Sequence, residues 1–76
     1  MNYDKMNDKL WLVEWVYAKE AYRISRYADP TRAVAYEDYW QDAVRDIKGN
    51  YGIDGVIIFI KEPDNKVHYW CEPDYV

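Results

Sequence analysis

Leu10-Trp11-Leu12-Val13-Glu14-Trp15-Val16-Tyr17-Ala18-Lys19-Glu20-Ala21-Tyr22-Arg23-Ile24-Ser25-Arg26-Tyr27 is the stretch on which the fold turns. With a period of two, Leu10–Tyr17 and Tyr22–Tyr27 are two strands joined at Ala18–Ala21. Trp11, Val13, Trp15 and Tyr17 then share one face, and Leu10, Leu12 and Val16 the other. With a period of 3.6 the same residues make one helix from Asp8 to Tyr27. Ala-Lys-Glu-Ala favours that helix, and no Gly, Asn or Asp marks a hairpin turn. A helix over Leu10–Ala18 would, however, be apolar nearly all round, which suits only a fully buried helix. A chain of 76 residues can hardly enclose one. The strands are therefore preferred.

Downstream, Asp29-Pro30-Thr31 reads as a helix N-cap followed by proline at the first helical position. Ala33, Tyr36, Tyr39/Trp40, Ala43, Val44 and Ile47 follow at helical spacing, and Gly49-Asn50 supplies a stop. The helix is predicted over about residues 30–48. Val56–Ile60 is β-branched and aromatic on both faces, as expected of a central strand, and the turn residues Pro63-Asp64-Asn65-Lys66 return the chain as Val67–Cys71. Pro73 is expected to end that strand, and Met1–Asn7 to be loose. The class is α+β: one domain over residues 1–76, with an antiparallel sheet packed on one main helix. The order β-β-α-β-β is favoured over the alternative α-α-β-β.

Nine Tyr, four Trp and one Phe stock a dense core, since each large ring can bury about 150–250 Å². The single cysteine, Cys71, makes no internal disulfide, and no basic n-region precedes an apolar stretch at the N-terminus. A reducing, cytoplasmic setting is expected. No apolar run approaches the ~20 residues that cross a bilayer, so no membrane partner is expected. The net charge of −4 leaves Arg23, Arg26 and Arg32 as the sole local excess of cations. Direct nucleic-acid binding is thereby disfavoured, and a basic protein surface becomes the expected partner.

Groups for catalysis are few. Ser25, Thr31, His68 and Cys71 are each the only residue of their type, and neither Ser25 nor Thr31 has a neighbouring base or a glycine elbow. His68 and Cys71 stand three apart, which on a strand sends them to opposite faces. Zinc wants about four ligands. Gly52 and Gly55 precede a strand and no helix N-terminus, so turn geometry explains them better than phosphate binding. The acidic groups Asp54, Glu62, Asp64, Glu72 and Asp74 match no calcium loop. No metal, no cofactor and no enzymatic activity are expected.

The acidic residues of the predicted helix carry more information. Asp38, Asp42 and Asp46 fall at i, i+4 and i+8 with Glu37 beside them. Like charges at i, i+4 cost about 0.2–0.5 kcal/mol each, so helix stability does not explain them. Their carboxylates would recur about every 6 Å, near the spacing of phosphates along a nucleic-acid strand. An ordinary solvated face is the plain reading. The sharper one is a ridge that occupies a basic groove, although Arg45 and Lys48 lie close by. One aromatic face, drawn from Trp11, Trp15, Tyr17, His68 and Trp70, should remain uncovered by the helix and serve as an interface for a partner or a homodimer. Trp40 and Phe59 are expected in the core. The C-terminal Glu72-Pro73-Asp74-Tyr75-Val76 could serve a strand-addition pocket, though a frayed tail explains it equally.

In general character, short, acidic, ring-rich and poor in catalytic groups, the chain looks like the small accessory proteins with which phages block host machinery. That likeness is of composition and carries no motif. The expected function is a protein-binding or inhibitory module that occupies a partner's basic surface, the partner being of the nucleic-acid-binding kind. The alternative is a nucleotide-like small ligand held in an aromatic pocket by Arg23, Arg26 or Arg32. A minimal enzyme built on His68 and a carboxylate ranks last.

Overall fold

A computed structural model describes residues 9–51 and 56–71. The chain runs β1 (Leu10–Val16), β2 (Ala21–Arg26), β3 (Ala35–Glu37), α1 (Trp40–Tyr51), β4 (Ile57–Lys61) and β5 (Val67–Cys71). The α+β class stands, and the N-terminal stretch is a hairpin. The five strands form one sheet in the order β3-β2-β1-β4-β5. All neighbours are antiparallel except β1 and β4, which run parallel at the centre. The expected antiparallel sheet is therefore mixed, and Ile57–Lys61 is central as its two apolar faces imply.

The first hairpin turns by a means that composition hides. Lys19 N donates to Val16 O at 3.1 Å and Glu20 N to Tyr17 O at 3.2 Å. These successive bonds make one turn of helix-like backbone, and Glu20 closes it at φ 51°. The helix preference of Ala18-Lys19-Glu20 thus builds the loop that joins two strands. The second hairpin uses conventional residues. Asn65 N donates to Glu62 O and Glu62 N to Lys66 O, both at 2.9 Å, with Asn65 at φ 68°. Asn tolerates that left-handed geometry.

The predicted helix over 30–48 is corrected at its start. Asp29-Pro30-Thr31 forms a turn, with Asp29 N on Arg26 O at 3.0 Å and Arg32 N on Asp29 O at 3.2 Å. The chain then extends, Val34 N donates to Ile24 O at 2.8 Å, and Ala35–Glu37 pairs along β2 as an added edge strand. The free edge of β2 offers backbone partners that an isolated helix start lacks. The cap falls at Tyr39, whose carbonyl accepts from Asp42 N and Ala43 N. At the other end the helix continues through Gly49 and Asn50 to Tyr51. Expectations for Met1–Asn7, Gly52, Gly55, Pro73 and the C-terminal tail fall outside the described residues.

Strand parity places the core. Trp11, Val13, Ile24, Ile58 and Ile60 share the face covered by α1, whose Ala43, Val44 and Ile47 pack onto them. At about 25 cal/mol per Å² of apolar surface removed from water, this contact is the main stabilising term. The opposite face carries Leu10, Leu12, Ile57 and Phe59, with Val67 and Tyr69 further out and no element of the described chain laid across it. A charged row crosses one end of this open face, where Arg23 Nη2 donates to Glu14 Oε1 at 2.9 Å and Lys61 Nζ lies 3.7 Å from Glu14 Oε2.

Candidate functional site

The four acidic residues singled out above come from three pieces of chain. Glu37 ends β3, Asp38 lies in the link, and Asp42 and Asp46 stand on α1. Asp38 therefore precedes the helix, and the i, i+4, i+8 ridge shortens to Asp42 and Asp46. The pairing of β3 with β2 supplies the replacement, because it brings Glu37 against the helix. A side-chain hydrogen bond with Asp46 raises the Glu37 pKa, and the negative charges of Asp46, Asp42 and Asp38 raise it further. Two carboxyl groups can bond in this way only while one of them keeps its proton, since an ionised carboxylate only accepts.

Little opposes this charge within the described chain. Arg45 Nη2 donates to Asp42 Oδ1 at 2.9 Å, an exposed i, i+3 pair. Such a surface pair contributes about 0–1 kcal/mol. Lys48 lies elsewhere, with Nζ 4.8 Å from the centre of the Trp70 ring. Arg32 sits in a hollow with Arg26, Asp29 and Val34. Asp38 is exposed, while Glu37, Asp42 and Asp46 are half-buried.

The expected aromatic face is corrected by parity. Trp11 is 1% exposed. Trp15 and Trp70 pack against the same covered core, and Trp15 meets the Tyr22 ring edge-on at 5.1 Å. Of the five interface rings expected from sequence, Tyr17 alone is largely exposed, and its hydroxyl donates to Pro63 O. Burial, with help from Glu62 and Asp64, raises the pKa of Tyr22. Trp40 does pack against the core, but Phe59 lies on the open face, where Tyr27 tilts over it at 5.0 Å. These two rings, with Leu12, Pro30 and Val67, wall a groove of about 450 Å³ that ends at Glu14 and Lys61. The alternation of Leu10, Leu12, Ile57 and Phe59 carried this signal in the sequence. It was masked by the larger rings on the other face.

The three arginines do not converge. Arg26 and Arg32 flank one hollow of about 260 Å³, and Arg23 is clamped by Glu14 on the opposite face of the sheet. His68 and Cys71 also point to opposite faces, as their spacing implies. His68 meets Trp40 edge-on at 5.0 Å and its Nε2 lies 2.9 Å from Glu62 Oε2, while Cys71 is exposed. Ser25 is buried, and its Oγ has no hydrogen-bond partner among the described residues. Among those residues no group of three or more His, Cys, Asp or Glu could hold a metal ion, and no helix is long and apolar enough to cross a membrane.

No protein-family model, no curated protein and no solved structure matches this chain.

Proposed function

We propose that this chain is a protein-binding module that uses its acidic end to occupy a basic surface on a partner protein. The observation that carries this reading is the gathering of Glu37 from β3 with Asp38, Asp42 and Asp46, whose charges help to raise the Glu37 pKa, and with Arg45 the one cation paired to the group among the described residues. Gathering four carboxyl groups where their charges repel disfavours folding, so the arrangement is unexplained by stability. Lys or Arg side chains from a partner would offset that repulsion on binding and steer the encounter through charge. A partner shaped for nucleic acid fits, since its groove is already lined with cations. Blocking such a groove would make the module an inhibitor.

The test is retention of a partner from cell lysate by the tagged protein at low and high salt, beside a Glu37→Gln/Asp42→Asn/Asp46→Asn variant of unchanged circular dichroism. Retention that falls with salt and with the triple substitution supports the acidic end as the contact. Equal retention by the variant sinks the reading.

A further inference from the structure

β5 is the outermost strand beyond β4, and its outer backbone edge is unpaired among the described residues. Natural sheets protect such edges with charge, proline, bulges or shortness. The opposite edge obeys: β3 is three residues long and ends at Glu37 within the acidic group. β5 does not. Its five residues, Val67-His68-Tyr69-Trp70-Cys71, contain no Asp, Glu, Lys, Arg or Pro. Its one basic group, His68, is turned to Glu62 and Trp40. Val67 is 62% and Tyr69 67% exposed.

We propose that β5 pairs with β5 of a second copy of this chain, antiparallel about a two-fold axis at Tyr69. The strand is complementary to itself in that register. Tyr69 meets Tyr69 of the partner subunit, Val67 meets Cys71 of the partner subunit, and His68 meets Trp70 of the partner subunit. Aromatic and aromatic–aliphatic cross-strand pairs of this kind stabilise antiparallel sheets, and no like charges face each other. Imidazole on indole is a contact the fold already makes between His68 and Trp40. The apolar row Leu12–Phe59–Tyr69 would continue unbroken into the second copy. The acidic group of β3 and α1 lies toward the far edge of the sheet, away from this junction. β5 carries no Asp, Glu, Lys or Arg with which to set the register of a foreign strand. Five residues of edge fall short of the roughly 800 Å² per partner of a standard interface, so the dimer dissociates on dilution. This inference is independent of the acidic site.

Sedimentation velocity of the full chain over a concentration series tests it. The wild type should shift from monomer to dimer. Tyr69→Lys, which sets two ammonium groups at the axis, should stay monomeric with unchanged far-ultraviolet circular dichroism. Cysteine cross-linking under mild oxidation then reads the register. In a Cys71→Ser background, Tyr69→Cys should form a disulfide dimer and Val67→Cys should not, because the two copies of residue 67 lie about 13 Å apart. Val67→Cys with Cys71 retained should cross-link again. A wild type that stays monomeric throughout, a Tyr69→Lys variant that dimerises as well as wild type, or equal cross-linking at 67 and 69 in the Cys71→Ser background would overturn the proposal.

Discussion

Glu37 shows how one side chain can report a conflict between folding and charge. Its pKa is raised chiefly by the hydrogen bond with Asp46, so the folded chain holds this proton more tightly than the unfolded chain does. Its contribution to stability is present below the ordinary glutamate pKa and is lost as pH rises through the raised value. At neutral pH, Glu37→Gln should therefore unfold at a higher temperature than wild type, and the gap should close in acid. Thermal melts at several pH values check this, and a gap that is absent or reversed at neutral pH would disprove the raised pKa. Tyr22 is the counterpart at alkaline pH: its raised pKa means that the stability of the buried phenol is lost only above the ordinary tyrosine range.

At the scale of elements, the two hairpin turns make a matched pair. Asn65 and Glu20 both adopt left-handed backbone, but only Asn is suited to it. Glu20 is exposed and has no packing to lose, so Glu20→Gly should stabilise the protein by about 0.5–1 kcal/mol, the relief of strain less the entropy of glycine. Glu20→Val should destabilise it. Urea midpoints measure both, and a lower midpoint for the glycine variant would mean that the loop is held by contacts of Glu20 itself. The same loop marks what the sequence could disclose. Alternation in Leu10–Val16 and the rings of Val67–Cys71 made these strands legible, because their residues answer to a local period. Ala18–Glu20 looked like an objection to the hairpin because helical preference and a helix-like loop are the same local property. β3 and the true start of α1 were hidden for a different reason. Ala35–Glu37 is a strand only because the edge of β2 lies beside it, and no property of three residues announces that neighbour. The acidic group was partly legible for the same cause: Asp42 and Asp46 follow from helical spacing, whereas the approach of Glu37 depends on β3. The rings misled about the open face, since size suggested an interface and parity placed Trp11, Trp15 and Trp70 under the helix.

The molecule as a whole is two hairpins joined along one seam. β1–β2 and β4–β5 each close over a short loop, but β1 meets β4 by pairing Leu10 with Ile57 across most of the chain. Neither hairpin owns the core. Val13 and Ile24 lie on one side of the seam, Ile58 and Ile60 on the other, and α1 belongs with the first group by connection. A two-stranded hairpin alone is at best marginally stable in water. Cutting the chain between α1 and β4 leaves β4–β5 as such a hairpin and strips Ile58 and Ile60 from the core of the β1–β2–β3–α1 piece, so each piece should be unfolded when separate and regain the native circular dichroism when mixed. A fragment that folds alone would show that the core is not divided in this way. If they do reassemble, the central parallel pairing makes this small protein a natural split reporter, whose signal appears only when two fused partners bring the halves together.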